Sequence, residues 1–112
     1  MQGAKDRQPT PSLRALSQPA PQPLPTVSVI IPVGPGDEEL VDGVLTSLWH
    51  QSYPSDRFEV VVVSNTPAIL EFPDYPGMEV LVVREERPGS YFARNTGVNS
   101  ASGDVLAFTD AD

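Results

Sequence analysis

The chain has 112 residues, with 15 Asp and Glu against 7 Lys and Arg, a net charge of −8, and no cysteine. That length allows one small domain; the acidic balance disfavours nucleic acid and anionic membrane as partners, and without cysteine there is neither a disulfide framework nor thiolate chemistry. No apolar stretch is long enough to span a bilayer and the start of the chain lacks the apolar core of a secretory signal, so the sequence points to a cytoplasmic protein with no visible membrane association.

Residues 1–26 carry six of the 13 prolines, with Gln, Ser and no aromatic residue. Such a stretch cannot bury enough apolar surface to offset its ordering entropy, which predicts a disordered, polyproline-like tail. Lys5, Arg7 and Arg14 against Asp6 give this tail a net +2, which leaves −10 of the total −8 on residues 27–112. The body is therefore strongly acidic.

From Val27 onward the pattern is that of a folded domain. "VSVIIP", Val27 to Pro32, is nearly continuous and β-branched, as expected of a strand covered on both faces. "GPGDEE" then breaks the chain. Asp37 is the expected N-cap of a helix whose apolar stripe is Leu40, Val41, Val44, Leu45, Leu48 and Trp49, ending near Gln51. His50, the single histidine, reads as a packing or capping residue at that helix end. Further strands are expected at Phe58–Val63, Glu79–Val83 and Asp104–Thr109, with a helix over Ser90–Ala101 capped by Ser90. Tyr91 and Phe92 read as core contacts.

The order strand, helix, strand, strand, helix, strand is that of an α/β fold with a mostly parallel, Rossmann-like sheet. In such sheets ligands bind beyond the carboxyl ends of the strands. The residues that matter there are Pro32–Val33–Gly34, Ser64–Asn65–Thr66, Arg84 to Arg87 and Asp110–Ala111–Asp112. In extended backbone Asp110 and Asp112 share a side, with Ala111 opposite. Two carboxylates held close repel unless a cation lies between them, and their hard oxygens suit Mg²⁺ or Mn²⁺ shared with substrate phosphates. A solvated acidic strand end is the competing explanation of the same two residues.

A dinucleotide-binding reading fails on residues. Gly34 and Gly36 supply the first two glycines of the fingerprint, but Glu39 stands at the third, and Ser64–Asn65 provides no acid at the end of the second strand. An acidic "GPGDEE" loop also argues against a nucleotidyltransferase, which needs a basic, glycine-rich loop for triphosphate.

Residues 27–112 resemble the first half of a family-2 glycosyltransferase of the GT-A fold. The resemblance rests on five motifs in order: "VSVIIPV", "SLWHQSYP" (Ser47 to Pro54), "EVVVVSNT", "ARNTG" (Ala93 to Gly97) and "SGDVLAFTDAD". It implies a nucleotide-sugar donor site, probed by Pro32 and Val33 at the base, Asn65 at the base or ribose, Arg94 shaping the pocket, and Asp110 at the ribose or metal. Asp110 and Asp112 are the implied metal ligands, for Mg²⁺ or Mn²⁺, with Asp112 nearest the diphosphate. From the residues alone, Arg94 is equally suited to pair with Glu85 or Glu86. Asn95 and Gly97 are suited to structural work, satisfying backbone groups and permitting close packing.

Two departures from the family pattern stand out. Gly34–Pro35 occupies the place of a common Tyr-Asn, removing an aromatic wall, and Ser64–Asn65 replaces a pair of aspartates, keeping hydrogen bonding but losing charge. The family's acceptor half and catalytic base follow its Asp-x-Asp motif, so the resemblance implies a base beyond residue 112 and an unidentified acceptor. An inactive, truncated donor half is the resulting expectation, with a degenerate, non-catalytic nucleotide-binding fragment as the alternative. An incomplete sheet of this kind is also expected to expose apolar edge and face area and to associate.

Overall fold

The apolar runs form four parallel strands in the computed structural model, which describes residues 24–111. These are β1 (Val27–Val33), β2 (Phe58–Ser64), β3 (Glu79–Arg84) and β4 (Val105–Phe108). Their order is β3-β2-β1-β4. The chain steps outward from β1 to β3 and then crosses back, placing β4 on the other side of β1. Val27 lies opposite both Phe58 and Val105, so β2, β1 and β4 start level.

Asp112 and all but the last three residues of the expected tail lie outside the described residues. Leu24, Pro25 and Thr26 are tied to the body. The Leu24 carbonyl accepts a hydrogen bond from Arg57, the Pro25 carbonyl accepts one from the Tyr53 hydroxyl, and the Thr26 hydroxyl donates to Asp104 at 3.1 Å.

β1 and β2 are continuous in apolar character because both of their faces are covered. On one face Val29, Ile31, Val33, Val60 and Val62 pack with Val41 and Leu45 of helix α1 (Val41–His50). On the other, Ile30, Val61 and Val63 pack with Ala93 of helix α2 (Ser90–Ser100). α2 comes very close to the sheet at Gly97, where a Cβ would lie 2.4 Å from Ile30 Cγ2 and 3.1 Å from Val63 Cγ2. The expectation that Gly97 permits close packing is met.

Several expectations need correction. Asp37 precedes a single 3₁₀ turn, Glu38–Leu40, makes no side-chain cap, and the α-helix starts only at Val41. The buried stripe of α1 is correspondingly narrow: Leu40 and Trp49 are exposed, and the Trp49 indole N–H donates to the Pro76 carbonyl at 3.0 Å. Ser90 is the first residue of α2 rather than its cap, and its hydroxyl accepts from Arg94 at 3.3 Å instead. Tyr91 is 69% exposed and so is no core residue; Phe92 is half-buried beneath the Arg87 guanidinium, 4.3 Å from its ring centre. His50 does serve its helix end, with Nδ1 3.0 Å from the Thr46 carbonyl oxygen.

α2 packs across β1, β2 and β3. Among the described residues β4 is the outer strand of the sheet, and Val105, Leu106 and Phe108 are exposed on it, the apolar surface that the sequence led us to expect. Among the described residues no helix is long and apolar enough to cross a membrane.

Candidate functional site

A cavity of about 230 Å³ opens where β1, β2 and β4 end and α2 begins. Its walls come from Pro32, Gly34, Pro35 and Asp37 after β1, Asn65 after β2, Gly89, Ser90 and Ala93 of α2 and the residue before it, and Asp110 and Ala111 after β4. This is the point beside β1 where the strand order reverses, the place at which open α/β sheets hold ligands. A larger cavity, about 460 Å³, lies among Phe72, Tyr75, Met78 and their neighbours and contains none of the sequence-predicted site residues.

The β1 side of the cavity is shaped by a tight turn. The Asp37 N–H donates to the Gly34 carbonyl at 3.1 Å, with Pro35 and Gly36 at the corners and Gly36 at φ +93°. Those are the residues a type II turn requires. The turn brings the Asp37 carboxylate back over Gly34, whose Cβ position is 3.7 Å from Asp37 Oδ2. Asp37 was read from the sequence only as a helix cap; the Gly-Pro-Gly spacing before it is the signal that marks it as a wall residue. Among the described residues no aromatic side chain lines this cavity, as the Gly34–Pro35 departure suggested.

Of the sequence-predicted site residues, Pro32, Asn65 and Asp110 meet in this cavity. Val33 does not: it is fully buried in the core against α1. Arg94 is 47% exposed at its side chain and reaches the cavity through Asp110, with Nη2 4.0 Å from Oδ1. It pairs with neither Glu85 nor Glu86, because Arg87 takes Glu85 and Arg84 takes Glu86. Asp110 is 70% exposed, whereas Ala111 is buried in the core, so the alternation expected at this strand end holds for both.

Asn65 is more heavily engaged than a free base-reading group. Its side-chain N–H groups donate to the carbonyls of Glu85 at 2.6 Å and Arg87 at 2.8 Å, and its Oδ1 accepts from Gly89 N–H at 3.3 Å. Behind it, Glu85 receives the Arg87 guanidinium as a two-pronged fork, both contacts 2.9 Å. Hydrogen bonds from Arg87, then from Thr96, hold the Glu85 carboxyl down at about 2. The sequence placed Glu85 among the strand-end residues Arg84 to Arg87 and offered it as a partner for Arg94, but gave it no role of its own.

The arrangement suits an anionic ligand held with a cation. The first amides of α2, whose Gly89 and Ser90 end lines the cavity, carry the positive end of the helix dipole. Asp37 and Asp110 bring two carboxylates to the same cavity. Among the described residues no three metal-ligating side chains cluster. One or two carboxylates plus substrate phosphates is the donor set that Mg²⁺ and Mn²⁺ accept, so the residues present fit such an ion.

The family model for glycosyl transferase family 2 matches residues 28–112. The chain belongs to that family. It is 43% identical over 96 residues to glycosyltransferase AglE of Haloferax volcanii, covering 80% of this chain and 31% of AglE. It is 30% identical over 98 residues to the probable glycosyltransferase YdaM of Bacillus subtilis, covering 80% of this chain and 23% of YdaM. The solved mannosyltransferase PcManGT from Pyrobaculum calidifontis, in complex with GDP-Man and Mn²⁺, superimposes with a TM-score of 0.67 at 30% identity, over 91% of this chain and 33% of that one. S. aureus TarS 1-349 in complex with UDP gives 0.59 at 28% identity, over 78% and 27%. This family-2 chain thus has the GT-A-like α/β fold and spans about a third or less of the relatives it matches.

Proposed function

We propose that this chain is the donor-binding part of a glycosyltransferase that moves a sugar from a nucleotide-diphosphate sugar to an acceptor hydroxyl with the help of Mg²⁺ or Mn²⁺. The observation that carries this reading is the meeting of Pro32, Asn65, Asp110 and the start of α2 in one cavity at the strand-order reversal. The complexes of PcManGT with GDP-Man and Mn²⁺ and of TarS with UDP support it. UDP-sugar is the proposed donor class.

In this reading Pro32 and Pro35 border the base, and the α2 amides face the diphosphate. Asp110 and Asp112 hold the divalent ion, whose chemistry when bound is Lewis-acid neutralisation of charge on the departing diphosphate. Arg94 keeps Asp110 oriented toward the cavity. Inverting transfer also needs a group to take the acceptor hydroxyl's proton. We place that base and the acceptor site in sequence beyond residue 112, of the extent the relatives possess, and infer that the 112-residue chain binds donor without turning it over. The cytoplasm is the proposed compartment, on the cysteine-free composition.

The test is calorimetric titration of UDP, UDP-glucose and GDP-mannose into the chain, with Mn²⁺ and then with EDTA, repeated on Asp112→Asn. Metal-dependent binding that the substitution weakens is the expected outcome. A folded chain that binds none of the three is the degenerate, non-catalytic fragment.

A further inference from the structure

The link from β3 to α2, residues 85–89, has no regular secondary structure and reaches the cavity at Gly89. Its shape depends on the side chain at its start. Glu85 is buried although Arg84, Glu86 and Arg87 beside it are exposed. Oε2 accepts from the Arg87 backbone N–H at 2.8 Å and from Arg87 Nε at 2.9 Å; Oε1 accepts from Arg87 Nη2 at 2.9 Å and from the Thr96 hydroxyl on α2. The Glu85 N–H is itself bonded to the Ser64 carbonyl at 3.0 Å. Glu85 thus joins the end of β2 through its backbone N–H, and the loop and the second turn of α2 through its carboxylate. Asn65 closes the same loop from the other side, through Glu85, Arg87 and Gly89. The next residue, Ser90, begins the helix that faces the cavity.

We propose that Glu85 is a positioning residue for the donor site: by gripping Arg87 and Thr96 together it fixes loop 85–89 against Asn65 and sets where the start of α2 meets the ligand. The inference rests on the donor-binding reading. A carboxylate is needed because four donors converge on two oxygens, and charge-assisted bonds of this kind are about twice as strong as neutral ones. In Glu85→Gln one oxygen becomes an NH₂ group that confronts N–H donors of Arg87 or the Thr96 hydroxyl. Thr96→Val removes the tie to α2 alone, and Thr96→Ser restores it.

Two readouts on the full 112-residue chain test this: amide hydrogen exchange across residues 87–92, and affinity for UDP and for GDP in the presence of Mn²⁺. In Glu85→Gln and Thr96→Val we expect exchange at 87–92 to quicken about tenfold and nucleotide affinity to fall about tenfold, the effect of losing one hydrogen bond to a charged group. Thr96→Ser is expected to return both to the wild-type values, a recovery that a purely bulk effect on stability does not predict. If Glu85→Gln does not fold, the Thr96→Val and Thr96→Ser pair decides. Unchanged exchange in the folded variants overturns the proposal, and so does faster exchange with unchanged affinity. A wild-type chain that binds neither nucleotide instead refutes the donor-binding reading, and with it the positioning role.

Discussion

Two carboxylates at opposite ends of the same sheet, Glu59 and Asp110, are treated in opposite ways. At the amino end, Glu59 is buried and closed in: Oε2 accepts from the Ser28 hydroxyl at 2.6 Å and from the Ser102 N–H at 2.7 Å, while Gly103 N–H donates to the same Ser28 oxygen at 2.8 Å. Burial pushes the Glu59 carboxyl up, and the bonds from Ser28 and Ser102 outweigh it, leaving it below the usual carboxylate range. At the carboxyl end, Asp110 is mostly exposed and its one ion pair among the described residues is 4.0 Å long. The first carboxylate is spent on tying the link between α2 and β4 to β1 and β2. The second keeps its oxygens available, and that difference, rather than acidity as such, separates scaffold from site.

The comparison is most severely broken by removing what both ends share. Ile31 is fully buried between β2 and α1, so Ile31→Ala is expected to cost about 2–5 kcal/mol and to lower the denaturation midpoint and the cavity's ligand binding together. A smaller, one-sided loss is expected at the amino end. A Cβ on Gly103 would lie 2.7 Å from the Ser28 nitrogen and 2.8 Å from the Val27 carbonyl carbon, backbone atoms that cannot turn aside. Gly103→Ala should therefore destabilise by about 1–3 kcal/mol in urea denaturation, while the fraction that remains folded keeps its nucleotide affinity.

Acid sharpens the comparison from the other side. The Glu85 carboxyl sits at about 2 in the folded chain against 4.5 as its ordinary value. The unfolded chain takes up this proton first, so the stability due to the Arg87 and Thr96 bonds is present above pH about 4.5 and is lost as pH falls toward about 2. The stability difference between wild type and Glu85→Gln should be constant from pH 7 to 5 and shrink below that, as followed by thermal unfolding across pH. The smallest expected stability effect belongs to Asp110→Asn, within about 0.5 kcal/mol because the side chain is exposed, even though the proposed metal site predicts a large loss of metal-dependent binding.

How far the sequence reveals these features depends on whether the cause is local. β1 and β2 are legible because burial on both faces demands unbroken β-branched runs, and Gly97 is legible because a helix lying that close leaves no room for a side chain. The cap of α2 and the width of the α1 stripe are not, since Gly89 and the Glu38–Leu40 turn depend on loops set by distant contacts. In the site, Pro32, Asn65 and Asp110 follow from the strand-end rule, whereas Val33 points the other way by strand alternation. Glu85 is one of four charges in the strand-end run "REER", and its role is not legible there because Thr96 meets it only when α2 folds back.

The central claim is that ligand binding belongs to the carboxyl end of the sheet. It is tested most directly by mapping amide chemical shifts of the labelled chain during titration with UDP and Mg²⁺, alongside Asp110→Asn. We predict shifts at Gly34, Asn65, Gly89 and Ala111, none at Ser28, Ser102 and Gly103, and loss of the response in Asp110→Asn or without Mg²⁺. Shifts confined to the amino end, or a response indifferent to both Asp110 and the metal, would contradict the account.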